Sequence, residues 1–262
     1  PNWAWGKEQY TANVASFIEQ VPVTFISFDH YPVALIDSIP VLRPEWYRNL
    51  EEISTAAQEA NLPFWAFAMA WSHYLGPPSP PAFYPVPALS ELRLQMFSNL
   101  AYGAQALQYF TFYGAVDKNG KTPVYDLIQM LNEEIQNLTS VFLDANVVSV
   151  WHTGNQIPEG TRRLSEMPAP QVRSLSTSGI GAVVSLLEKG DRQYLVIVNR
   201  DYQNGMDLSI DVDDSVQRVL KNGTIVTVSN STEQIEAGDI AIYTWSISSD
   251  KTYNSEHVNI VA

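Results

Sequence analysis

Phe64-Trp65-Ala66-Phe67-Ala68-Met69-Ala70 is a run of apolar residues with no polar break. A short run of this kind, rich in aromatic side chains, reads as a strand covered on both faces. Its flanks say what sort of sheet it joins. Upstream, residues 44–60 carry Pro44 in the first turn and place Tyr47, Leu50, Ile53 and Ala57 on one face, which predicts an amphipathic helix. Before that, residues 23–29 (VTFISFD) are β-branched and aromatic and predict another strand. Residues 7–20 predict a short amphipathic helix. Downstream, Ser90 is placed to cap a helix reaching Ala101, with Leu92, Met96 and Leu100 in one stripe and Gly103 ending it. Residues 106–113 predict a third strand. A Lys118-Asn119-Gly120 turn follows, and Thr122-Pro123 opens a helix that aligns Leu127, Leu131, Ile135 and Leu138. Strands alternating with helices build a parallel sheet from βα units. Three such strands cannot close a barrel and leave both edges open, so residues 1–145 read as part of a larger α/β assembly.

From residue 146 the pattern changes. Short strands are expected near 146–152, 180–188, 192–199, 206–212, 216–220, 223–228 and 240–246. Between them fall Gly190, Asn204-Gly205, Asn222-Gly223 and Gly238-Asp239, and Asn-Gly is a strong hairpin signal. Residues 146–250 therefore read as an antiparallel β-sandwich packed against the last helix. Residues 154–171 read as a polar connector, and residues 251–262 as a tail without periodicity.

The chain has 262 residues, 45% of them hydrophobic, which is enough for a sizeable core. Its net charge of −13 and lack of a Lys/Arg cluster argue against nucleic acid as a partner. No apolar run is long enough for a membrane span. Cysteine is absent, which removes disulfides, zinc-thiolate sites and thiol nucleophiles. His30, His73, His152 and His257 show no metal-ligand spacing, and no Gly-rich phosphate loop is present, so no metal or cofactor is expected. The opening Pro1-Asn2-Trp3-Ala4-Trp5 reads as the middle of a protein.

Ser27-Phe28-Asp29-His30-Tyr31-Pro32 resembles the end of the sixth strand in barrel glycosidases of the β-galactosidase-like family 42 type and their exported relatives. Pro63-Phe64-Trp65 resembles the start of their seventh strand. Leu92-Arg93-Leu94 through Leu100-Ala101-Tyr102-Gly103-Ala104 resembles the helix after it, and Tyr109-Phe110-Thr111-Phe112 the eighth strand. Residues 118–152, with Val150-Trp151-His152-Thr153-Gly154 and the later Val196-Ile197-Val198-Asn199-Arg200, resemble the final helix and C-terminal β-domain. The resemblance covers most of the chain. It implies strands six to eight of a (β/α)8 barrel followed by a β-sandwich, a carbohydrate ligand and an exported location. It also implies a partner for the open sheet edge, either the N-terminal half of the barrel or a second chain.

Glycoside hydrolysis normally uses two carboxylates across the scissile bond. The resemblance puts the acid/base after strand four, outside this chain, and the nucleophile at position 68. That position is Ala68, and no Asp or Glu occurs between Glu59 and Glu91. Asp29 is then the acidic residue standing at a strand end, and the candidate for acid/base work or substrate hydrogen bonding. His30 and Tyr31 beside it, Trp71 and His73 after the second strand, and Phe112 and Tyr113 at the third suit a sugar, which has apolar ring faces and hydroxyl edges. Asp29 also has a plain structural reading, as a cap or an Arg partner. His152 reads as structural. If residue 68 points into the barrel, the interior is lined by Ala66, Ala68 and Ala70, while Trp65, Phe67 and Met69 pack under the helices. Two functions fit: a glycoside hydrolase lacking a complete carboxylate pair in this chain, or a non-catalytic carbohydrate-binding or scaffold protein.

Overall fold

The computed structural model describes residues 7–74, 83–228 and 232–247. Its first half holds α1 (Lys7–Gln20), β1 (Ile26–Phe28), β2 (Val33–Ile36), β3 (Ile39–Leu42), α2 (Trp46–Glu59), β4 (Phe64–Met69), β5 (His73–Tyr74), β6 (Phe83–Tyr84), α3 (Leu89–Ala101), β7 (Ala106–Phe110) and α4 (Phe112–Ala115). A two-residue hairpin follows, β8 (Val116–Asp117) with β9 (Gly120–Lys121). Then come α5 (Pro123–Asn137) and α6 (Thr139–Phe142).

Strands β1, β4 and β7 form a parallel sheet in that order, with Ile26 opposite Phe64 and Ala68 opposite Tyr109. This is the βα segment expected from the alternating pattern. The alanine face is reversed from expectation. Ala66 and Ala68 are wholly buried in one core with Trp46, Tyr47 and Leu50 of α2 and Leu92, Met96 and Phe97 of α3. The large side chains sit on the helices, so the strand beneath must be small for the layers to approach. Trp65 and Phe67 point the other way, into the face that would line a barrel. Met69, also on that side, is buried beneath β2 and β6 with Tyr31, Ala34 and Tyr84. On the open face the Trp65 ring stacks on Phe25, centroids 3.9 Å apart, and Gln108 Nε2 lies 3.5 Å from Ser27 Oγ.

Several boundaries differ from the sequence reading. β7 stops at Phe110, and Phe112 and Tyr113 turn into α4, where the short loop lets Gly114 approach the Ala70 carbonyl. The start of α3 is capped from Glu91, whose Oε2 accepts the Ala88 N–H at 2.7 Å; Ser90 lies inside the helix. Residues 33–42 form an unexpected hairpin. It joins β5 and β6 in a four-stranded antiparallel sheet ordered β3-β2-β6-β5 above the C-terminal ends of the parallel strands. Residues 75–82, which include Pro77, Pro78, Pro80 and Pro81, and the 251–262 tail lie outside the described residues.

The second half is antiparallel. A six-stranded sheet runs β10 (Asn146–His152), β12 (Ala182–Lys189), β13 (Arg192–Asn199), β18 (Ile240–Ser246), β15 (Gln217–Val219), β16 (Ile225–Thr227). A three-stranded sheet runs β11 (Val172–Thr177), β14 (Met206–Val212), β17 (Thr232–Ile235). β11 and β17 were not expected; the first lies just past the supposed connector. The central strands β12, β13 and β18 are buried on both faces. Val184, Leu186, Leu195 and Ile197 meet the small sheet, while Val183, Leu187, Val196 and Val198 share the core of the helices. The sandwich rests chiefly on α3, which is buried nearly all round, rather than on α5 alone; α5 adds Leu131. The chain is thus a parallel βα segment followed by antiparallel sheets, with one apolar core running through both.

Candidate functional site

The C-terminal ends of β1, β4 and β7 open on the same end of the sheet, because the strands are parallel. Asp29 directly follows β1 and is exposed. Two residues on, the Tyr31 hydroxyl is buried and has no hydrogen-bond partner among the described residues. Tyr31 is 5% exposed, and its ring is boxed in by His73 at 5.9 Å, Tyr84 at 5.4 Å and Phe110 at 6.1 Å between centroids. His73 packs in turn on Tyr84 (5.0 Å) and Phe110 (5.2 Å), and its Nδ1 is 3.1 Å from the Trp71 carbonyl oxygen. Three rings from the ends of the three parallel strands, Tyr31, His73 and Phe110, and a fourth from β6, Tyr84, therefore form one wall near one carboxylate. Asp29 and His73 both flank Tyr31, as their positions after adjacent parallel strands require.

Behind that wall Arg43 donates to the Tyr84 hydroxyl and, through Nε at 3.0 Å, to the Glu45 carboxylate. Burial, and after it the Asp29 carboxylate and the Tyr84 phenol, hold the Tyr31 hydroxyl well above the ordinary phenol range. Burial also raises Tyr84, with Arg43 opposing it. Both phenols stay protonated at neutral pH; the Tyr84 oxygen accepts from Arg43, and the Tyr31 hydroxyl is left without a partner among the described residues.

His30 does not join this wall. It is 4% exposed and turned toward α2: its carbonyl accepts from Trp46 Nε1 at 3.0 Å, and its Nδ1 lies 3.1 Å from Asn49 Nδ2. Trp46 and Asn49 are successive partners on one helix face, so the helix claims the imidazole before a ligand can reach it. Trp71 is partly exposed, and Phe112 and Tyr113 are open to solvent at 70% and 66%, their centroids 6.3 Å apart. They stand at the sheet's C-terminal end, on the loop and helix that follow β4 and β7. Ala68 is beneath the helices. A carboxylate at that position would enter the apolar core and not the open end.

No protein-family model matches this chain, and no curated protein matches it. Solved structures do. An α-fucosidase of Thermotoga maritima in complex with fucose matches at 8% identity and a TM-score of 0.38, over 70% of this chain and 40% of the other. A rhamnosidase from Novosphingobium sp. PP1Y matches at 8% and 0.43, over 91% and 36%. An exo-carrageenase GH42 from Bacteroides ovatus matches at 11% and 0.20, over 89% and 24%. The chain is a distant, partial structural match to glycoside hydrolases. It spans well under half the length of these three.

The sequence reading missed Arg43, Glu45, Tyr84 and Phe110 as parts of this wall and its backing. Arg43 directly precedes Pro44, in a place that reads as a helix start, so nothing in its spacing marks it. Two clefts elsewhere contain none of the site residues. One, of about 440 Å³, is lined by Leu107, Asn132, Ile135 and Phe142 among others. The other, of about 570 Å³, lies at the N-terminal ends of the strands near Asn61, Pro63 and Gln105.

Proposed function

We propose that this chain is the C-terminal portion of a β-galactosidase-like glycoside hydrolase and contributes the Asp29 end of its sugar site. The observation that carries this reading is the joint placement of one exposed carboxylate and an aromatic wall at the C-terminal ends of three parallel strands, where barrel sites form. Sugar rings stack on aromatic faces, and their hydroxyls pair with carboxylates. Asp29 accepts hydrogen bonds from substrate hydroxyls or serves as one of the two carboxylates. Trp71, Phe112 and Tyr113 supply stacking surface, and Tyr31 and His73 form the wall behind them.

The bare face carrying Ser27, Trp65, Phe67 and Gln108, and the edges of β1 and β7 that have no strand beside them among the described residues, suit further βα units. A parallel sheet is normally covered on both faces. In this reading the covering segment, from the same polypeptide or a second chain, brings the other carboxylate. The burial of Ala68 favours a second reading, a non-catalytic carbohydrate-binding protein on the same scaffold.

Calorimetric titration of the 262-residue chain with neutral mono- and disaccharides, galactosides first, tests sugar recognition. Saturable binding weakened at least about tenfold by Asp29→Asn or Trp71→Ala is expected, each substitution removing about 1.4 kcal/mol or more. Binding indifferent to both substitutions places the site elsewhere, and no binding by the chain or by a protein that covers the open face rejects the reading.

A further inference from the structure

We infer that His73 is a ligand-binding residue whose Nε2 accepts a hydrogen bond from a hydroxyl of the sugar. The inference deepens the proposed sugar site and rests on that reading. His73 opens β5, just past the end of β4. Its ring is held by Tyr31, edge-on at 5.9 Å, by Tyr84 at 5.0 Å and by Phe110 at 5.2 Å between centroids. The backbone is held as well, since His73 pairs with Tyr84 across β5 and β6. A ring packed among three others keeps its two nitrogens in fixed directions.

Those nitrogens have different surroundings. Nδ1 lies 3.1 Å from the Trp71 carbonyl oxygen. A carbonyl oxygen only accepts, so Nδ1 carries the hydrogen. In the neutral ring this leaves Nε2 as the acceptor, because the hydrogen bond made by one nitrogen sets the state of the other. Nε2 has no hydrogen-bond partner among the described residues, and, unlike the Tyr31 hydroxyl, it is not buried. Residues 60–90 contain no Asp, Glu, Lys or Arg, so the stretch that carries His73 offers it no ion-pair partner. The imidazole is thus a fixed and open acceptor set in an aromatic wall. Asp29, at the same end of the sheet, is an acceptor too. A sugar meets such a surface by donating from its hydroxyls while its ring face lies on the aromatic side chains.

The test is nitrogen-15 NMR of the His73 ring in the 262-residue chain at about pH 8, where histidine is ordinarily neutral, without sugar and with saturating methyl β-galactoside. The free chain should show Nδ1 protonated and Nε2 bare, and the sugar should shift Nε2 far more than Nδ1. A ring protonated at Nε2 overturns the inference. So does an Nε2 resonance that stays in place while calorimetry reports binding. His73→Phe keeps a ring in the wall and removes the acceptor, so binding about tenfold weaker is expected, on the order of one hydrogen bond. His73→Gln, whose amide oxygen can accept, should recover part of that loss. Equal loss in both variants, each folded by far-UV circular dichroism, assigns His73 to packing and overturns the inference. Where neither variant folds, the nitrogen resonances of the parent chain decide. The sugar-site reading fails separately: no binding by calorimetry discards the site and the hydrogen bond with it, whereas binding that leaves Nε2 unmoved keeps the site and discards only the role of His73.

Discussion

His152 is wholly buried, with Nε2 2.8 Å from the Tyr102 hydroxyl and its ring 4.9 Å from that of Tyr47. Burial, and then the Arg200 guanidinium, hold its pKa well below 6.5. Burial and then Arg43 do the same for His30. In the unfolded chain both imidazoles take up a proton as pH falls through about 6.5. The native state binds fewer protons there, so stability is lost as pH drops below that value toward the folded pKa. Each histidine contributes a slope of at most about 1.4 kcal/mol per pH unit in this window. Glu51 and Glu91, whose carboxyls burial pushes up, act with the opposite sign at its acid end, because the native state protonates them first. Urea unfolding between pH 7 and pH 5 should show a falling midpoint in the parent chain and a flatter one in His152→Gln. A midpoint that stays level or rises on acidification contradicts the assignment. The structural reading of His152 made from sequence agrees with this burial. His30 shows the limit of such reading, because its place at a strand end said nothing about which way the ring turns.

The β2–β3 hairpin shows how an element can be invisible in sequence and plain in structure. Its two-residue turn is Asp37-Ser38, both with positive φ, at 51° and 65°. That is the backbone of a type I′ turn, for which Asp-Gly or Asn-Gly is the usual signal. Serine in the left-handed region carries a strain of about 1 kcal/mol that glycine does not. Ser38→Gly is therefore expected to raise stability by up to about 1 kcal/mol, read as a higher midpoint in thermal or urea unfolding. A lower midpoint would mean that the Ser38 side chain does more than tolerate its conformation. The same contrast explains the rest of the ladder. Asn222-Gly223, between the paired β15 and β16, and the continuous apolar runs of β12, β13 and β18 announced the large sheet, whereas Asn204-Gly205 carries the chain from β13 to β14 of the small sheet and closes no hairpin; α2 and α5 announced themselves by their apolar stripes. β11 was missed because Val172–Thr177 alternates weakly and follows a polar stretch, and β17 because Thr232–Ile235 is mostly polar. The alanine face of β4 was misplaced because a strand pattern gives two faces but not which one the helices take. Packing decided it: Trp46, Tyr47 and Phe97 fill the space that larger strand residues would need. Of the wall beside Asp29, Tyr31 and His73 were legible, but Phe110, Tyr84 and the Arg43 behind it join it only through tertiary contact.

At the scale of the molecule, Arg93 joins the two halves. It is 7% exposed in α3 and reaches Glu134 of α5 at 2.6 Å and Glu236 and Asp239 of the β-sheet region at 3.2 Å each. Lys221 also contacts Asp239 and Glu134. Removing one partner of such a network leaves buried carboxylates short of positive charge, which costs about 3 kcal/mol. Arg93→Leu should therefore unfold at markedly lower urea. With one apolar core running through both halves, it should do so in a single transition by fluorescence and circular dichroism; two separated transitions would show that the halves fold independently. The same whole-molecule view sets what the chain does chemically. A retaining glycosidase holds its carboxylates about 5–5.5 Å apart and an inverting one about 6.5–9.5 Å apart. Asp29 is exposed at one strand end, whereas residues 70–74 and 111–115 after the other two strands contain no Asp or Glu. Ala68 is sealed under α2 and α3. The 262-residue chain should accordingly bind sugar without turning over aryl glycosides, while a protein that also covers the bare face of β1, β4 and β7 should hydrolyse them and lose that activity in Asp29→Asn. Turnover by the 262-residue chain that survives Asp29→Asn would place the chemistry on other residues, and turnover abolished by that substitution would mean that a second carboxylate already reaches Asp29 from within this chain.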